Sequence, residues 1–219
     1  MEHIPQVRMQ ARTWYNADLR ETWFATISEL VLMMTVAAIF LPAAALIREK
    51  ERGTIEQLLV SPLAPFQIVL ATVLAMTLVM LAGAAVAVGV IMVWLLDVPF
   101  RGSPALFFAL LAIYAVTTSG LGIFAATFAR NSGQVGLIVL LIVMPILFLS
   151  GSWNIVEGMP GWLRAGIEFS PLRHFVPIAY GIILRGTELT MIWEPVLKMF
   201  ALGAALFALG VWRFRRQFR

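Results

Sequence analysis

Residues 30–47 read LVLMMTVAAIFLPAAALI, and residues 48–66, which follow directly, read REKERGTIEQLLVSPLAPF. The first stretch is 18 residues without a charge, flanked by Glu29 and Arg48. A bilayer core of roughly 30 Å needs about 20 apolar residues in a helix, so this stretch reads as a membrane span. The second carries six charges in its first nine residues and then turns apolar again without reaching span length. A greasy helix that runs into a charged, sharply punctuated loop is the pattern of a multi-pass membrane protein.

Working outward, four more uncharged runs appear, at 57–96, 102–129, 131–156 and 199–212. The run at 57–96 holds one long span from about residue 67. The last has only 14 residues, and reaches span length if its helix starts near Trp193, with Glu194 and Lys198 as an i,i+4 pair at the interface. These runs predict an all-α integral membrane protein of about five transmembrane helices, near 28–47, 67–96, 104–129, 134–151 and 193–212. Residues 1–27 would form an outer N-terminal segment and 28–219 the transmembrane domain, with an inner loop at 48–66 and an outer re-entrant segment at 152–190.

Composition agrees. Of the 219 residues, 61% are AVILMFWYC and only 13% are charged, where a soluble domain carries roughly 25% charged residues. Mean hydropathy is +0.90. An ordinary soluble enzyme and a disordered chain are both excluded, and with no cysteine so is a disulfide scaffold. The net charge of +4 is explained by its position along the spans rather than by nucleic acid, for which no partner role is expected.

Segments 48–66, 130–133 and 213–219 would share one side of the membrane, and in about 30 positions they hold eight basic residues: Arg48, Lys50, Arg52, Arg130, Arg213, Arg215, Arg216 and Arg219. The other side holds seven in about 75 positions. The positive-inside rule then puts the N-terminus outside and the C-terminus in the cytoplasm. Residues 1–27 have no basic segment followed by an apolar one, so they are not a signal peptide. An outward N-terminus ahead of an odd number of spans implies either that a first helix, and with it an outer domain, is missing from this chain, or that a short tail crosses unaided.

In the inner loop, Thr54-Ile55-Glu56-Gln57 has capping-box spacing and predicts the start of a short helix. Gly53 suits the end of the preceding helix, because glycine tolerates the left-handed cap geometry. Ile55, Leu58 and Leu59 give the short helix one apolar face, and Ser61-Pro62 and Pro65 end it. Two readings stand: a solvated loop whose charges only obey the positive-inside rule, or an amphipathic docking helix that transmits a push from a cytoplasmic partner.

EKERGTIEQLLVSPL resembles the signature of the permease subunits of ATP-binding-cassette (ABC) transporters of the type-2 exporter class, typically Glu-Lys-Glu-x-Gly-Thr-x-Glu-x-Leu followed by Ser-Pro. Residues 150–186, SGSWNIVEGMPGWLRAGIEFSPLRHFVPIAYGIILRG, are similar to that family's outer segment, and Trp14-Tyr15-Asn16 to the point where its outer domain returns to the membrane. Together the resemblance covers roughly residues 12–216. The departures are Ala17 in place of a common proline, Ala71-Thr72 where Gly-Lys often opens the span, Asn154 where proline is usual, and Tyr180 where arginine is frequent. Members usually also carry a first membrane helix and a sizeable outer domain ahead of the Tyr-Asn motif, and this sequence begins just before that motif.

The resemblance implies a membrane-spanning permease of an ATP-driven exporter in the bacterial inner membrane, working with a cytoplasmic ABC ATPase and a second permease half in a homo- or heterodimer. It points to Glu49, Glu51, Arg52, Gly53, Thr54, Glu56 and Leu58 as ATPase-coupling residues. It points to Glu157, Met159, Pro160, Trp162, Pro171 and Arg173 as an outer gate or re-entrant segment. ATP would be used by the partner, since the chain has no Gly-x-x-x-x-Gly-Lys-Ser/Thr cradle and no Gly-Lys pair at all, so no bound cofactor is expected.

Other features have plainer readings beside functional ones. Trp153 and Trp162 suit an interfacial aromatic belt as well as a gate. Pro42 and Pro145 could kink spans or simply be tolerated there. Thr117-Thr118-Ser119 with Gly120 and Gly122, and Gly203, Ala204 and Gly210, read as close helix contacts before a polar lining. A membrane-embedded enzyme is disfavoured, because the two histidines, His3 and His174, fall outside the spans and no intramembrane carboxylate pair exists. A structural membrane protein and a non-functional fragment of a longer permease are the alternatives.

Overall fold

In an all-apolar helix every backbone polar group is satisfied within the segment, which is why these runs fold as helices and not as open strands. The computed structural model describes residues 21–53, 65–149, 161 and 166–217. Helix α1 is Glu21–Glu51, and α2 is Pro65–Val86, continued by a π-helical stretch Ala87–Leu95. They are followed by α3 Pro104–Phe128, α4 Ser132–Leu149, α5 Pro171–Tyr180 with a π-helical extension Gly181–Arg185, and α6 Leu189–Gln217.

Among the described residues, four helices, α1, α2, α3 and α6, are long and apolar enough to cross a membrane, and α4 is a shorter apolar helix. The last span is longer than the 193–212 expected. The uncharged run at 199–212 is only the middle of α6, which begins at Leu189 and places Glu194 and Lys198 on its exposed side, paired at 2.7 Å. Helices α1 and α4 continue through Pro42 and Pro145.

Helix α3 is the hub, with its largest interfaces to α6 and α1; α1 in turn meets α2, α4 and α5. In α1 and α3, 61% of the span is buried within the chain, against 22% in α2 and α6. The exposed flanks of α2, α4 and α6 carry Leu78, Val86, Trp94, Leu137, Leu141, Leu197 and Trp212. Such flanks are stable only against lipid or another membrane subunit.

Small residues set the spacing. A methyl group added at Gly122 would run into the carbonyl oxygen of Ile39 on α1, and one at Gly120 into the backbone of Phe207 on α6. From the other side, Gly203 leaves room for Thr117 and Gly210 for the Gly120 backbone. The Thr117–Gly122 stretch is therefore a close helix contact and not a polar lining. Two of its hydroxyls fold back on their own helix: Thr117 donates to the Ile113 carbonyl at 2.8 Å and Ser119 to Val116 at 2.6 Å.

Helix α5 fills the space beside α1, α3 and α6. Its buried residues Leu172, Phe175, Ile178, Ala179 and Ile182 recur at helical spacing, and the Phe175 ring stacks on buried Tyr114 of α3 at 4.4 Å, nearly parallel at 7°. The Tyr114 hydroxyl pairs with Thr35 Oγ1 of α1 at 2.7 Å, so one ring links three helices.

Gly122→Ala should lower the melting temperature in detergent, corresponding to about 1–3 kcal/mol of overpacking. Gly83→Ala, where an added Cβ meets nothing within 4 Å, should leave it unchanged or slightly raised.

Candidate functional site: the Arg48 end of the bundle

The three basic segments that charge counting grouped on one side do meet at one end of the bundle. Helix α1 runs through Arg48–Glu51 and stops at Gly53, whose φ of +69° is the left-handed cap expected of it. The Gly53 N–H donates to the Lys50 carbonyl at 3.3 Å and the Arg52 N–H to Arg48 at 3.1 Å. Lys50 Nζ reaches across to the Ala129 carbonyl, 3.1 Å away, where α3 ends. At the same end the Arg213 guanidinium of α6 lies 5.0 Å from the centre of the Phe128 ring.

Glu51 does something the sequence did not announce. The Ser132 N–H donates to its Oε1 at 2.7 Å and the Ser132 hydroxyl to its Oε2 at 2.5 Å. Ser132 opens α4, so the carboxylate meets one of the orphan N–H groups at a helix N-terminus, where negative charge is favoured. Asn131 and Gln134 complete the cap: Asn131 Oδ1 accepts from the Gln134 N–H and Gln134 Oε1 from the Arg130 N–H, both at 2.8 Å. Glu51 lies four residues past the uncharged run, outside the membrane-spanning part, and the two Ser132 bonds hold its carboxyl below the usual carboxylate value. The tie is therefore present at neutral pH and lost as the pH falls through that lowered value.

Of the other coupling candidates, Glu49 is half-buried, and Arg52 and Gly53 are exposed beside Glu51. Thr54, Glu56 and Leu58 lie outside the described residues. So do Glu157, Met159, Pro160 and Trp162 of the outer segment. Pro171 is buried at the start of α5, and Arg173 in its first turn faces Glu168 with Nε 4.0 Å from the carboxylate. His174 Nε2 donates to the Glu168 carbonyl at 3.0 Å.

The π-helical end of α5 lies at the opposite, Arg101 end. There the Arg101 N–H donates to the Ile183 carbonyl at 2.9 Å, and Gly102 sits against the Ile182 backbone too closely for any side chain. Tyr180, where the resemblance led to arginine, donates to the Phe24 carbonyl at 3.1 Å and pairs with the Ser28 hydroxyl, fastening α5 to the start of α1. Among the described residues no group of acidic or histidine side chains could hold a metal ion.

Residues 10–184 match the ABC-2 type transporter family. The chain belongs to that family. It is 36% identical over 212 residues to the inner membrane transport permease YhhJ of Escherichia coli, covering 97% of this chain and 57% of the relative. It is 31% identical over 206 residues to the probable multidrug ABC transporter permease YbhR of the same organism, covering 94% of this chain and 56% of the relative. This ABC-2 chain thus spans little more than half the length of the relatives it matches.

The Asn131-x-x-Gln134 cap was legible in advance, since a side-chain acceptor followed three residues later by glutamine is a helix-start signature. Its recruitment of Glu51 from another helix was not. Glu51→Ala should raise backbone hydrogen exchange over 132–135 about fivefold, the usual scale of losing one cap interaction. Arg52→Ala, read by the same exchange experiment, should leave those amides unchanged.

Proposed function

We propose that this chain is the membrane-spanning part of an ATP-driven ABC exporter, with its Arg48 end in the cytoplasm docked on a separate ABC ATPase. The supporting observation is the tie between Glu51 and Ser132. Residues 49–53, the described part of the stretch that resembles the family's coupling signature, lie at the end of α1, and Lys50 and Glu51 among them are bonded to the end of α3 and the start of α4. Force applied to the segment after Gly53 would reach α1 through the backbone and α3 and α4 through Lys50 and Glu51. A solvated loop has no need of such a brace.

In this reading Glu49, Glu51, Arg52, Gly53, Thr54, Glu56 and Leu58 form the ATPase contact, and the segment from Glu157 to Arg173 lies at the outer mouth of the path. A second permease half would complete that path. The protein would sit in the bacterial inner membrane, as the printed name of the Escherichia coli relative YhhJ says of that protein. YbhR is named a probable multidrug permease. A transported drug is thereby one candidate cargo, beside lipids and polysaccharides.

With the permease and its ATPase reconstituted together, Glu49→Ala/Glu51→Ala should lower transport-linked ATP hydrolysis by about fivefold or more, the scale of an ordinary coupling free energy. Membrane insertion should be unchanged. Unaltered hydrolysis and transport in the double variant would overturn the coupling assignment.

A further inference from the structure

At the Arg48 end of the bundle, α2 and α6 do not close against each other. Between them lies a groove of about 530 Å³ lined by Phe66 of α2 and by Phe207, Ala208, Val211, Trp212, Arg215 and Arg216 of α6. That volume is in the range of small-molecule sites. Its floor is apolar and its rim is basic. Val211 is buried, whereas Phe66 and Trp212 are 43% and 51% exposed. Among the described residues no acidic side chain lines it.

The Arg216 guanidinium lies 4.5 Å from the centre of the Trp212 ring. Stacking on an aromatic face fixes the guanidinium plane while leaving its N–H edges free to donate, a geometry suited to phosphate oxygens. Arg215 beside it lines the same groove. In a cleft at the end of two spans, apolar walls of Phe66, Phe207, Val211 and Trp212 with paired arginines beside them match one kind of molecule in both its parts.

We propose that this groove binds an anionic phospholipid from the adjoining leaflet, its acyl chain against Phe66, Phe207 and Val211 and its phosphate on Arg215 and Arg216. Basic pockets between membrane helices are suited to such headgroups. The proposal needs only that the chain lies in a membrane, and stands whether or not an ATPase docks at this end.

The test is native mass spectrometry of the full chain in detergent, titrated with phosphatidylglycerol and, separately, with phosphatidylcholine of the same acyl chains. Wild type should retain a phosphatidylglycerol adduct that survives detergent exchange and should lose phosphatidylcholine. Arg215→Gln/Arg216→Gln should reduce that adduct about fivefold or more, the scale of losing basic contacts at a membrane surface. Ala208→Trp fills the groove without changing charge and should reduce it as well. Arg48→Gln, at the same end but outside the groove, should retain it. Equal retention of the two lipids by wild type overturns the proposal, and so does undiminished binding by Ala208→Trp or an equal loss in Arg48→Gln.

Discussion

The structure depends on how closely backbones can approach α3. Gly120 and Gly122 are two residues apart, about 200° around a helix, so they open opposite faces of it. One admits the backbone of α6 and the other that of α1. In lipid, association of helices gains little from burying apolar surface, because the tails are as apolar as the side chains. Close van der Waals packing and a few hydrogen bonds must hold the bundle instead, and missing side chains at these two positions supply the first. Tyr114, earlier on the same helix, supplies the second through Thr35 and its stack on Phe175.

From that hub the ends of the molecule acquire different characters. At the Arg101 end two π-helical stretches close α2 and α5, and backbone bonds such as Arg101 to Ile183 stitch the turns together. Extra residues in a helical turn often mark functional positions. At the Arg48 end the fastening is by charged side chains, Lys50 to the end of α3 and Glu51 to the start of α4. Neutral backbone stitching resists rearrangement, whereas exposed charged ties can be exchanged for a partner's groups at little cost.

Much of this was open to reading from residue patterns. Uncharged runs revealed the spans because lipid tolerates few charges, Gly53 revealed the end of α1 because only a residue without Cβ adopts its φ easily, and the basic residues grouped the loops that do meet at one end. What escaped reading depended on pairs distant in sequence. Helix α6 itself was in view from near Trp193, with Glu194 and Lys198 as its i,i+4 pair, and only its earlier start at Leu189 lay beyond that reading. Helix α5 had its apolar periodicity in view, Leu172, Phe175, Ile178 and Ile182, but that periodicity could not say that its face is buried on Tyr114. Likewise nothing local to Glu51 announces Ser132, 81 residues away.

In the function proposed above, the Arg48 end is cytoplasmic and is covered by an ATPase. Because the chain contains no cysteine, a single introduced thiol reports alone. Accessibility of Arg52→Cys and Arg101→Cys to a membrane-impermeant maleimide tests the claim most directly, in intact cells and in inverted vesicles. The account predicts that Arg101→Cys is labelled from outside and Arg52→Cys only in inverted vesicles, with Arg52→Cys protected when the ATPase is bound. Labelling of Arg52→Cys in intact cells, or equal labelling with and without the ATPase, would contradict it.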